Sequence, residues 1–138
     1  MTSQASDDVV PPDVTMEAPP FQARVMAWML DCFTPEITAD RLERGDRLLE
    51  EVLELLQSGN YPRDRVAALC DYVYGRSAGE PFQEVGGVMV TLAAYCGAHE
   101  LDMAEAARVE LARIEQPEIT LKIRAKQAAK PRGSALHK

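Results

Sequence analysis

Residues 81 to 98, PFQEVGGVMVTLAAYCGA, are apolar almost all round a helical axis and carry one charge, Glu84. At about 100° per residue no polar stripe remains to face water, so a helix of this kind belongs at the centre of a bundle. A lone carboxylate on it must be paired, coordinated or left near an end. The rest of the chain has to provide the cover. Its 138 residues suffice for one domain with a core and are too few for two ordinary ones. Hydrophobic residues make up 46% but aromatic ones only 6%, which favours an all-α protein packed with Leu, Val, Ala and Met.

Taken in order, residues 1 to 20 hold Pro11, Pro12, Pro19 and Pro20 with four acids and no base, and read as a disordered leader. Phe21, Val25, Trp28, Met29 and Cys32 then recur at three- and four-residue steps, predicting a helix that stops before Thr34-Pro35. Thr38 and Asp40 are N-cap candidates for a second helix to about Ser58, where Gly59-Asn60 supplies the stop. Pro62 suits the first turn of a third, Arg63 to about Tyr74, with Val66, Leu69, Cys70 and Val73 facing inward. A Gly- and Pro-containing loop leads to the apolar helix, and Asp102 with Glu105 three residues on opens a fifth that ends before Pro117. Residues 118 to 138 read as a weakly amphipathic basic helix and a tail beyond Pro131. The expected organisation is a leader at 1–20, a helical domain at 21–117 and a basic C-terminal stretch at 118–138. Five short helices do not surround Val85 to Ala98, so a homodimer burying that surface is expected.

Several classes are disfavoured. No apolar run approaches the roughly 18 to 20 residues that span a bilayer, and MTSQASDD has no basic region followed by an apolar one. The expected location is the cytoplasm. Cys32, Cys70 and Cys96 show no zinc spacing and are expected reduced and buried; His99 and His137 are too few for a histidine-built site. The net charge of −7 divides unevenly, with 18 acids against nine arginines in residues 21 to 118 and six bases with no acid after them. An acidic body argues against stable nucleic-acid binding through phosphates.

Leu48 to Leu56, LLEEVLELL, sets Glu50, Glu51 and Glu54 on one helical face. Like charges at such spacing cost about 0.2 to 0.5 kcal/mol per pair, which a divalent metal would offset. Two helices offering acids, with Glu84 on the second, can close on one ion. The alternative is a solvated polar face with an Arg47-Glu51 pair.

The spacing Glu50-Glu51-x-x-Glu54, followed after 29 residues by Glu84-x-x-Gly87, resembles the EExxE then ExxD signature of the MazG-type all-α nucleoside triphosphate pyrophosphohydrolases. Trp28 and Phe33, RLLEEVLEL and QEVGGVMVTL give a similar context, and the likeness covers about residues 24 to 115. The resemblance implies a helical bundle forming dimers or dimers of dimers. It also implies magnesium, or manganese, and hydrolysis of a nucleoside triphosphate to its monophosphate and pyrophosphate. Carried over, Glu51, Glu54 and Glu84 match the metal-binding acids, with Glu50 or Glu51 as the base that takes a proton from the attacking water. Gly87 stands where the family has aspartate.

Phosphates also need protein cations. Arg47 is one candidate, and Lys122, Lys126 and Lys130, spaced by four, are expected to line one face, with Arg124 and Arg132 nearby. Trp28 either stacks a base or packs in the core. Asp71, Glu80 or an extra water would compensate for Gly87; otherwise the fold is a catalytically impaired nucleotide-sensing or partner-binding module.

Overall fold

A computed structural model describes residues 20–130; the readings made for residues 1 to 19 and for the tail beyond Lys130 fall outside the described residues. Among the described residues there are seven helices and no strand, so the chain is all-α. They are α1 (Phe21–Cys32), α2 (Pro35–Ala39), α3 (Arg41–Ser58), α4 (Arg63–Tyr74), α5 (Pro81–Ala98), α6 (Met103–Ile114) and α7 (Pro117–Ala128). That is one more than five helices and a C-terminal stretch. The addition is α2: Pro35, read as a stop, opens a helix because its missing N–H is one that the first turn leaves unbonded anyway. Thr34 caps it, its hydroxyl accepting from the Ile37 amide at 3.4 Å.

The buried side chains gather where α1, α6 and α7 meet. Met29 and Cys32 of α1, Leu111 of α6 and Thr120 of α7 lie there, and Cys96 is buried on α5. Polar contacts fix this junction as much as apolar ones. Trp28 Nε1 donates to the Ile114 carbonyl at 2.9 Å and to Thr120 Oγ1 at 3.2 Å, and the Thr120 hydroxyl donates to the same carbonyl at 2.6 Å. A carbonyl that the end of α6 leaves without a helical partner is thereby satisfied. Arg124 does the same for α1, donating to the Asp31 and Cys32 carbonyls at 2.9 Å each. A cation at a helix C-terminus is also favoured by the helix dipole.

α3 starts in this body and runs out of it. Asp40 caps it, accepting from the Glu43 amide at 3.0 Å. Glu43 Oε1 then receives Lys130 Nζ at 3.2 Å, Arg47 Nε at 3.4 Å and Arg44 at 3.6 Å. The Lys130 and Glu43 side chains are only 6% and 13% exposed, so this is a mostly buried ion pair at the root of α3.

Beyond that root the molecule opens. The far half of α3, all of α4 and the first half of α5 form an arm; every residue from 81 to 91 is exposed. α5 touches α3 through the Tyr95 hydroxyl, which donates to the Leu55 carbonyl at 3.4 Å. Gly59 permits this, because a Cβ there would collide with that hydroxyl. The left-handed residue that ends α3 is Asn60 (φ 58°) rather than Gly59, and the reversal closes with Tyr61 N to Leu56 O at 3.0 Å. Leu69 and Val73, expected inward on α4, are exposed, and so is Cys70; nothing in the described residues covers that face. Among the described residues no helix is long and apolar enough to cross a membrane.

Candidate functional site

Helix α3 carries the acids because Asp46, Glu50 and Glu54 recur every four residues and so stack along one line of the helix. That line borders a groove of about 780 Å³, within the few hundred to 1,000 Å³ of small-molecule sites. Arg47 lies beside the acids, Leu49, Leu53 and Leu56 give the groove its apolar wall, and Tyr61 and Arg63 enter from the turn and the start of α4. Two carboxylates of the predicted motif, Glu50 and Glu54, therefore share a cavity with two guanidinium groups. Arg47 pairs with Glu50 and with Glu43, partners that the helical spacing alone did not single out.

Glu51 does not line the groove. Partial burial pushes its carboxyl above the usual range, Glu54, Glu110 of α6 and Glu50 push the same way, and Arg113 opposes them. Arg113 is itself engaged by Glu110 at 2.7 and 2.9 Å, so little of its charge is left to balance Glu51. A carboxyl with a raised folded-state pKa holds its proton more tightly in the folded chain; its favourable contribution is present at acid pH and is lost as pH rises through the raised value. At pH 7 Glu51 therefore no longer makes that contribution, which a permanently neutral side chain would keep. Glu51→Gln is expected to stabilise the protein at neutral pH by less than about 1 kcal/mol, since solvent still reaches the site, and to change nothing below the ordinary glutamate range. Urea titrations at the two pH values check this; a loss at pH 7 would contradict it.

Glu84 stands apart from these acids. α5 meets α3 at Tyr95, and Glu84 is eleven residues earlier, about 16 Å back along the helix at 1.5 Å per residue. Its carboxylate lies over Gly79, where a Cβ would collide with it. Among the described residues no three His, Cys, Asp or Glu side chains come together in a way that would hold a metal ion. In one chain the donor set Glu51, Glu54 and Glu84 does not fit a divalent ion.

Nor does Glu80 repair Gly87. Its carboxylate caps α5, accepting from the Gln83 amide at 2.9 Å and the Phe82 amide at 3.1 Å, and these bonds hold it below the usual carboxylate range. Asp71 is exposed on α4. Lys122 and Lys126 are exposed on α7, but the face they were expected to share with Lys130 is broken. The helix ends at Ala128, and Lys130 turns back to Glu43. Arg124 is committed to α1, and Trp28 is held in the core junction rather than in the groove.

Sequence reasoning missed Asp46, Tyr61 and Arg63 as groove residues. Asp46 had a signal, its place four residues before Glu50; Tyr61 and Arg63 arrive only through the turn that folds α4 back. No family model matches the chain, and neither a curated protein nor a solved structure matches it.

Proposed function

We propose that this chain is a MazG-like nucleoside triphosphate pyrophosphohydrolase that acts as a homodimer, releasing pyrophosphate and the nucleoside monophosphate. The observation that carries this reading is the groove along α3, where Glu50 and Glu54 face the same cavity as Arg47 and Arg63. Guanidinium groups bind phosphate oxygens in a bidentate manner, so Arg47 and Arg63 would hold the triphosphate. Glu50 would take the proton of an attacking water, and Tyr61, which lines the same groove, would offer a ring edge or face to the base. Magnesium or manganese belongs to this reading, with Glu51, Glu54 and Glu84 as its ligands. One chain does not bring Glu84 to the other two, so the metal rests on the sequence resemblance alone and no step is routed through it.

The separation of Glu84 and the glycine at 87 favour a second reading, a catalytically impaired module that senses nucleotides or binds a partner through the same arm. One experiment separates them. Melting temperature is followed against magnesium or manganese for wild type and Glu54→Gln, and pyrophosphate release is assayed with a panel of standard and modified nucleoside triphosphates. The enzyme reading expects metal to stabilise wild type, by about 2.7 kcal/mol at a hundred times its dissociation constant, and expects Glu54→Gln to lose both this response and turnover. Metal stabilisation without turnover of any nucleotide supports the sensing module. An identical metal response in both proteins removes the acids of α3 from either role.

A further inference from the structure

We propose that the turn joining α3 to α4 reads a nucleobase, with the side-chain amides of Gln57 and Asn60 bonding the edge of a ring that stacks on Tyr61. This rests on the reading above, that the groove takes a nucleotide, and adds which residues tell one base from another. Its first support is the way the groove's lining is sorted along its length. Asp46, Arg47, Glu50 and Glu54 place charge on the side nearer the root of α3. Past Glu54 the character changes: Gln57, Asn60 and Tyr61 are polar without charge, and Arg63 follows as the first residue of α4. Asp46 and Gln57 are eleven residues apart, about 16 Å at 1.5 Å per residue, so one ligand can meet both regions. A nucleotide is divided in the same way, with charged phosphates at one end and a neutral ring at the other.

The second support is the residue that ends α3. Asn60 sits in the left-handed region at φ 58°, a conformation that glycine adopts at less cost. Asparagine there keeps the reversal and adds a side chain on the groove. That side chain is not what closes the turn. Backbone bonds do so, Asn60 N to Gln57 O and Tyr61 N to Leu56 O at 3.0 Å each, braced by the Tyr95 hydroxyl on the Leu55 carbonyl. Among the described residues neither the Asn60 amide nor the Gln57 amide has a hydrogen-bond partner. Two amides are thus held at the end of a cavity by a backbone that does not need them.

The chemistry of the three side chains is complementary. Stacking on a tyrosine ring holds any base, because every base has a flat face. Discrimination has to come from the edge, where bases differ in the order of their donors and acceptors. A primary amide offers an acceptor and two donors side by side, so it bonds two neighbouring atoms of such an edge at once. Solvent reaches both amides, which keeps the effect of each bond modest. The partly buried Tyr61 ring is followed by Pro62, whose fixed φ limits how far this corner rearranges.

Calorimetry of the full chain tests this, using the α,β-methylene analogues of the four standard nucleoside triphosphates, which resist cleavage at that bond, and inorganic tripolyphosphate. Wild type is compared with Asn60→Gly and Gln57→Ala. Glycine suits the left-handed position and alanine suits the helix, so unchanged helicity by circular dichroism is expected of both. Wild-type affinities are expected to spread about tenfold across the bases, and each variant to narrow that spread about two- to tenfold while tripolyphosphate binds as before. A spread that neither variant narrows, or wild-type affinities equal for all four bases, overturns the base-reading turn and leaves a nucleotide site standing. A wild type that binds neither the analogues nor tripolyphosphate overturns the groove as a nucleotide site and this proposal with it. Base discrimination that both variants lose, in a protein that hydrolyses no cleavable nucleotide, supports the turn and overturns the hydrolase.

Discussion

Glu43→Gln is expected to lower the unfolding free energy by about 3 to 5 kcal/mol, the largest loss from any change that keeps side-chain shape. The reason is the number of cations that depend on this carboxylate. Lys130, Arg44 and Arg47 all lie within 3.6 Å of one of its oxygens. A neutral amide leaves three positive charges crowded in a largely dehydrated place, and among the described residues Arg47 keeps another carboxylate, that of Glu50. Removing a cation instead is milder. Lys130→Met is expected to cost about 1 to 3 kcal/mol, because Glu43 retains two guanidinium neighbours. Urea unfolding at a fixed protein concentration gives both values. Equal losses would mean that the two arginines contribute nothing to holding the carboxylate.

Leu111→Ala is the second large effect, at about 3 kcal/mol. Leu111 is 2% exposed at the junction of α1, α6 and α7, and truncating a buried leucine loses its transfer free energy and leaves a cavity. The same kind of truncation on the arm has a different signature. Phe82→Ala removes a ring that is 87% exposed in the single chain, so at high dilution it is expected to change stability by no more than about 0.5 kcal/mol. Under the proposed homodimer its cost should grow with concentration, since the ring would then be covered. Thermal melts of both variants over a hundredfold range of concentration distinguish a body residue from an interface residue. A Leu111→Ala cost that follows concentration as Phe82→Ala does would contradict this division.

Helix positions were largely legible because their signals are local. Phe21 to Cys32, Arg63 to Tyr74 and Pro81 to Ala98 follow from periodicity and prolines, and Asp40 and Asp102 cap the helices they were expected to cap. α2 escaped because Pro35 reads equally as a stop or a start, and the Thr34 cap decides it. The polar face of α3 was legible as a pattern, but its partners were not. Arg47 has Glu43 four residues before it and Glu50 and Glu51 three and four residues after it, and spacing alone does not choose among them. Lys130 reaches Glu43 across 87 positions of sequence, which no local rule foresees. Glu84 illustrates the converse. The apolar helix around it implied a central place, and among the described residues its first half stands uncovered, because an apolar pattern states that cover is needed and not which surface provides it.

α3 is continuous from Arg41 to Ser58, a rod of about 27 Å held at its root by the Glu43 cluster and met again near its end by Tyr95 at Leu55. Glu54 lies eleven residues, about 16 Å, beyond Glu43, so a tilt of about 10° at the anchor displaces it by about 3 Å. Carboxylate ligands to small cations tolerate errors of only about 0.2 Å. Side chains that do not line the groove, Arg44 against the Phe33 ring and Lys130 among them, therefore help to set where its acids lie by fixing the root of the helix. Changes at the base of this rod are expected to disturb the acids at its tip before they unfold the protein.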